Sequence, residues 1–445
     1  MGENFPQLRR APGPAGRRII GTKIALLLLV VLLALAGFVG YSEQRYAKLT
    51  ERLEAHVATY ERFRWDRPVL RGKPRDGNAA ADVRAVLADI PQLTDEQRST
   101  LAEQLHFGQP LTAELQALIG DQAANLAKLR AATRNSWAKT TIDVTRLQEA
   151  PVPDYPRFID AVLLSLGEAR QEDGDDCLQT CVDLIRMGQD LVPGAPLEAT
   201  SVAMRTASLV SRVLPRCARR AEDSALIGTA RELHTLAEHP PPSGSGIEVA
   251  DIMAMIRLQR LADLFHEGGE GSVLDRLRRR PAIYEAWRHF DEPTRWRELA
   301  PTNYPEMLET WRREQEWRSR SELMMVGDAT AGVLGWLYDD MRGQALIRVM
   351  TLGMATLAER ARHDKLPHEP PGLDDAVLRD PFNGQALKWR VSQGGSELSV
   401  WSVGEDRRDD KGSSEWAMQA PLDVVVHFPL QSGEAAANRR ARRRR

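Results

Sequence analysis

The sequence predicts a mainly α-helical protein: an N-terminal transmembrane helix and stalk, an antiparallel helical array, and a small α+β module near the C-terminal end. Three observations carry that expectation. An uncharged apolar run occupies Ile24 to Tyr41. Apolar residues then recur at steps of three and four as far as Lys365. After Lys365 the spacing changes to alternation, with a Gly394-Gly395 pair between two runs.

The first run, IALLLLVVLLALAGFVGY, is 18 residues long. At ~1.5 Å per helical residue it reaches roughly 27 Å, close to the thickness of a hydrocarbon core. Arg9, Arg10, Arg17, Arg18 and Lys23 precede it against the single acid Glu3. Segment 1–23 is therefore expected in the cytoplasm and the bulk of the chain outside it. Ala34-Leu35-Ala36 before Gly37 has the small-x-small shape of a signal cleavage site. The run is long for a signal and continues into a helical pattern, which favours an uncleaved anchor over 24–41. A pilin-type leader is excluded, because the residues after Gly21 lack the acid that such processing requires. Tyr46, Leu49, Leu53, Val57 and Tyr60 then form the stripe of an amphipathic stalk over 42–66.

From 67 to 365 the chain reads as packed antiparallel helices joined by short turns. Thr94-Asp95-Glu96 and Pro110-Leu111-Thr112 open helices. Phe158, Ile159, Val162, Leu163 and Leu166 form one inward stripe; Cys181, Val182, Leu184, Ile185 and Leu191 form the next, which Pro193-Gly194 ends. Leu197 to Arg216 and Ser224 to Ala237 repeat the pattern, and HPPPSGSG at His239 to Gly246 breaks it. A further helix starts at Ile252, Met255 and Ile256, and the section with Trp287, Trp296, Trp311 and Trp317 reads as amphipathic helix with buried tryptophans. The pattern from Met324 to Arg360 carries Asp328, Asp339 and Asp340, which keep it from being a second span.

The formal net charge of −2 hides a segregation. Setting aside the charges of 1–23 and the six arginines from Arg439 to Arg445 leaves 49 basic against 61 acidic residues. An acidic body argues against nucleic acid as a partner. The tail over 431–445 is expected to be a disordered, solvated charge run, with anionic lipid or polyphosphate as the alternative partner. Of the three cysteines, Cys177 and Cys181 stand one turn apart on one helix and Cys217 closes the following one. One of the first pair is placed to meet Cys217 across a helical hairpin, with buried free thiols as the alternative. Three thiols without a fourth ligand make a poor zinc site.

Enzyme signatures are mostly absent. His266-Glu267 and His368-Glu369 lack a second histidine one turn on, and the glycines of HEGGEGS lack the Lys-Ser/Thr ending of a phosphate loop. No Gly-x-Ser-x-Gly elbow occurs.

In the final module, 366–430, strands are expected at Leu387 to Val391, Leu398 to Val403 and Leu422 to Phe428. Asp380-Pro381-Phe382-Asn383-Gly384 is a turn that launches the first, with Asp and Asn bonding local backbone and Gly supplying positive φ. Ser402-Val403-Gly404-Glu405-Asp406 ends the second in an acid-rich loop that continues to Asp409-Asp410-Lys411-Gly412. This stretch resembles the C-terminal region of the major pseudopilins of type II secretion systems, over roughly Asp380 to Phe428. The resemblance implies calcium at the loop, with Asp406 at the position of the first acidic ligand and Asp409 or Asp410 at the later one. Arg407-Arg408 depart from that family's small residues and oppose a metal by like charge, so a metal-free loop in which these arginines pair with the acids is the other expectation.

The layout of one span, an Asn-Ala-Ala segment at Asn78 to Ala81, a helical array and the final module also resembles uncharacterised anchored proteins of environmental bacteria. That implies a bacterial inner membrane with the bulk periplasmic. The expected function is a membrane-anchored binding or scaffolding protein of the envelope, with the bilayer and another envelope protein as partners and a link to a secretion or pilus-like system. The alternative is an envelope hydrolase using carboxylates on the helical array.

Overall fold

A computed structural model describes residues 14–68, 70, 73–144, 153–242, 333–369, 371–413 and 423–430, with isolated helical positions between 249 and 309. Among the described residues the chain is mainly helical, with two small three-stranded sheets. The basic residues before Arg17, the tryptophans 287, 296, 311 and 317, His266-Glu267 and the arginine tail lie outside the described residues.

Helix α1 runs unbroken from Pro14 to Arg62, so the expected anchor and stalk are one rod. Proline in its first turn costs nothing, since that N–H has no helical partner. Eight consecutive residues, Leu26 to Leu33, expose their side chains, from 45% at Val31 to 65% at Leu27. Among the described residues no helix is long and apolar enough to cross a membrane. The span expected at 24–41 is thus not shown as a crossing segment: the side chains of Ile24, Ala25, Leu35 and Val39 lie outside the described ones and interrupt the run.

The other end of α1 docks on the body. Leu53 and Tyr60, both on the stripe expected of the stalk, are buried. Tyr60 Oη donates to the Gly194 carbonyl at 2.8 Å. Lys139 Nζ donates to the Tyr60 and Glu61 carbonyls at 2.6 and 2.7 Å, placing a cation on the last turn, where carbonyls are otherwise orphaned. Burial holds the Lys139 ammonium below its ordinary value.

The first sheet is β1 (Trp65–Asp66), β3 (Asn135–Ala138) and β2 (Arg75–Asn78), in that spatial order. β1 runs antiparallel and β2 parallel to β3. Sequence reading did not find it, because strands of two to four residues are too short to show alternation. Asn78 joins sheet to helix. Its Oδ1 caps α2 (Ala79–Leu87) by accepting from Ala80 N–H and also accepts from Lys139 N–H, while its Nδ2 donates to the Lys139 carbonyl.

The predicted helix starts hold. α3 (Asp95–Phe107) opens on a reciprocal capping box between Thr94 and Gln97, and α4 (Ala113–Ala131) opens on Thr112. Then come α5 (Tyr155–Gln171), α6 (Gly174–Asp190), α7 (Glu198–Arg220) and α8 (Asp223–Glu238), packed as neighbours. The long helix α9 (Val333–His363) lies against α7 and α8, and a single turn, α10 (Asp375–Leu378), follows it.

The second sheet, β4 (Lys388–Val391), β5 (Glu397–Ser402) and β6 (Val424–Pro429), is an antiparallel meander with β5 in the centre. Its buried face, with Leu398, Val400, Val426 and Phe428, shares one core with α7 and α9. The change at Lys365 is therefore one of element type within a continuous core.

Gly353 on α9 is where sheet and helix touch most closely. A Cβ built there falls 2.1 Å from Phe428 Cε2, and that ring is fully buried. Gly353→Ala is expected to destabilise the chain by at least about 1–3 kcal/mol through overpacking, even though alanine favours helices. Thermal unfolding should show the loss, and adding Phe428→Leu should recover part of it. An unchanged melting temperature in Gly353→Ala would sink this account of the helix–sheet contact.

Candidate functional site

The Asp380 turn behaves as its residues require. Asn383 Oδ1 accepts from Gln385 N–H at 2.8 Å, and Gly384 sits at φ 72. Asp380, 2% exposed, does more than shape its own turn. Its Oδ1 accepts from Phe382 N–H and Ser402 Oγ, each at 2.9 Å, and its Oδ2 from Val403 N–H at 2.8 Å. The carboxylate thus clasps the turn to the end of β5. Burial raises its pKa, against the lowering pull of these hydrogen bonds and of Arg348. Arg348 Nη1 donates to the neighbouring Arg379 carbonyl at 2.7 Å, tying the turn to α9.

The three acids expected to hold calcium are not drawn into one cluster. Asp406 Oδ1 accepts from Arg408 N–H at 2.9 Å. Asp409 Oδ1 accepts from the Trp401 indole N–H and from Lys411 N–H, both at 3.0 Å, and these bonds hold its pKa below the ordinary range. The backbone N–H of Asp410 points to Asp423, whose carboxylate also accepts from Gly412 N–H at 2.8 Å. Calcium takes six to eight converging oxygens. Here the carboxylates of Asp406 and Asp409 are turned onto N–H groups of their own loop. Among the described residues these acids do not bring three ligand oxygens within 4.8 Å of one another, so the loop as folded lacks a converged calcium cage. Among the described residues Arg407 and Arg408 form no ion pair with these acids, so the salt-bridged version of the loop is not seen either.

Two groups of three potential metal ligands do exist among the described residues. One is Cys177, Cys181 and Cys217, all buried. A disulfide joins Cys177 to Cys217, with Cα atoms 5.6 Å apart, and Cys181 remains a buried thiol whose pKa burial pushes up. Of the two pairings left open, helix direction selects Cys177: it lies in the first turn of α6, opposite the end of the antiparallel α7. The other group is His234, Glu238 and Asp374. His234 Nε2 lies 3.2 Å from Glu238 Oε1 and 3.5 Å from Asp374 Oδ2. A hydrogen bond to Asp374 and then burial raise the Glu238 pKa, while His234 lowers it.

A fully buried charged group lies between the residues just after β1 and the end of α6. Arg67 Nη1 donates to Asp190 Oδ2 at 2.8 Å with both side chains fully buried, and Arg186 Nε approaches Asp190 Oδ1 at 3.6 Å. Arg67 Nη2 also donates to the Ala132 and Thr133 carbonyls, and Arg186 to the Pro68 carbonyl. Burial pushes the Arg186 guanidinium down to about 10, which still leaves a cation at neutral pH. Its interactions with backbone carbonyls mark this group as a tie between the first sheet and the bundle.

Sequence reading named Asp406, Asp409, Asp410 and the cysteines but missed Asp423, the Asp190 group and the His234 group. The last left one local signal: a histidine and an acid four apart in the stretch predicted as helix from Ser224. No family model, curated protein or solved structure matches this chain.

Proposed function

We propose that the chain is a membrane-anchored binding or scaffolding protein of the bacterial envelope, with its body held outside the cytoplasm. One observation carries the reading. Leu26 to Leu33 turn more than two helical turns of large apolar side chains outward on every face, on a helix whose far end is bonded into the body. An all-round apolar helix is stable only inside a large core or in lipid, and this one is not covered by the described residues of its own chain. The five basic residues before it favour a cytoplasmic N-terminus, and the Cys177–Cys217 bond suits an oxidising compartment. Because α1 passes without a break into the Tyr60–Lys139 junction, the anchor holds the body at a set position above the membrane. That suits a protein that presents a surface to another envelope component, including a secretion or pilus-like assembly.

A reporter enzyme fused after Arg445 is expected to be active only outside the cytoplasm, in membranes that resist alkaline carbonate extraction. Reporter activity in the cytoplasm would overturn the orientation, and release by carbonate would overturn the anchor. Cross-linking in intact cells followed by detergent pull-down should then recover a stoichiometric envelope partner.

A further inference from the structure

We propose that His234, Glu238 and Asp374 form a mononuclear zinc site at the junction of α8 with the segment that follows α9. His234 and Glu238 stand four residues apart on α8, so their side chains leave the same face one turn apart. Asp374 reaches them from the N-cap position of α10, 140 residues from His234. An N-cap aspartate ordinarily accepts a hydrogen bond from its own first turn. Asp374 makes no such bond, and its carboxylate is directed at the imidazole of His234 and the carboxyl of Glu238.

The spacing matches the metal. Zinc bonds of ~2.0–2.1 Å at tetrahedral angles place neighbouring ligand atoms ~3.3 Å apart. The two measured separations from His234 Nε2, 3.2 and 3.5 Å, bracket that edge, and all three ligand atoms lie within 4.8 Å of one another. Ligand type selects among metals as well. An imidazole beside two carboxylates suits zinc and its transition-metal neighbours, whereas calcium and magnesium prefer oxygen alone. Two carboxylates beside one imidazole offer the negative charge that a dication balances.

Three protein ligands leave a fourth position, the arrangement in which zinc keeps a water. The Asp374 side chain is 66% exposed, so this group opens to solvent. His234 Nδ1 is buried and has no hydrogen-bond partner among the described residues. Absence of the outer acceptor that usually orients a zinc-bound imidazole costs about 10–100-fold in affinity, so the site binds more weakly than a closed structural zinc centre.

The test uses the full chain in detergent, stripped with a chelator and titrated with zinc by calorimetry, and with cobalt(II) as a spectroscopic probe. One equivalent of zinc should bind, and cobalt should give the intense visible bands of a tetrahedral site. His234→Ala and Asp374→Asn should each weaken zinc by more than about 100-fold, beyond the range of an outer-shell change. Glu238→Gln provides a third variant that keeps the side-chain shape, and circular dichroism confirms that each variant is folded. Cys181→Ser should bind as the unaltered chain does. Absence of saturable zinc binding, binding retained in both His234→Ala and Asp374→Asn, or binding lost in Cys181→Ser would each overturn the proposal.

Discussion

Asp190→Asn is expected to cost about 3–5 kcal/mol of folding stability, because it removes the anion from between two buried cations. Arg67 and Arg186 then face each other with fully buried side chains and lose the carboxylate between them, with only Asp183 left, among the described residues, as an anion near Arg186. Against a total stability of about 5–15 kcal/mol for a typical domain, the loss is large. Urea unfolding of the detergent-solubilised chain should show it as a shift of midpoint. A control separates lost charge balance from lost packing: replacing Arg67, Arg186 and Asp190 together by apolar residues of similar volume should recover most of the loss. Such replacements of whole buried ion groups are often neutral. A shift below about 1 kcal/mol for Asp190→Asn, the size of an ordinary substitution, would show that the group contributes little.

Removing the disulfide is the second large effect. Cys177 and Cys217 are 40 residues apart in sequence, and loop-closure entropy for that length gives about 4 kcal/mol at 25 °C. The double substitution Cys177→Ser, Cys217→Ser should lower the unfolding free energy by that amount, read as a lower urea midpoint, and a reductant should do the same to the unaltered chain. Local geometry adds to the demand at this end of the hairpin. A Cβ on Gly174 would lie 2.2 Å from the Ala221 backbone nitrogen, so only glycine lets the start of α6 approach the end of α7 this closely. If reductant leaves the unfolding midpoint unchanged, the bond is not a determinant of stability.

Much of the helical architecture was legible because its signals are local. Thr94 with Gln97, Thr112, and the Phe158 to Leu166 stripe each act within two turns of chain, and the helices begin where those residues require. The Asp380 to Gly384 turn was legible for the same reason, and the three strands of the second sheet lie within two residues of their expected limits. The first sheet was not legible. Its strands are held by pairing with segments some 60 to 70 residues away, as Trp65 with Ala138 shows, and not by any pattern of their own.

The acidic loop shows the opposite failure. Asp406, Asp409 and Asp410 have the composition of a cation site, yet close neighbours in a tight loop reach backbone N–H groups before they reach a common centre. His234, Glu238 and Asp374 have no such composition in sequence, and the fold assembles them.

By itself the sequence determined the elements whose causes lie within a few residues: the apolar helix and its basic flank, the capped helices, the Asp-Pro turn, and the last sheet with its alternating faces. Only the tertiary structure decided which cysteine bonds to Cys217, that Lys139 closes the end of α1, that Gly353 receives Phe428, and that Asp374 meets His234. The physical reason is range. Capping and periodicity act over one or two turns, whereas a disulfide partner, a buried ion group or a ligand triad depends on where distant helices cross, and that is set by the packing of the whole core.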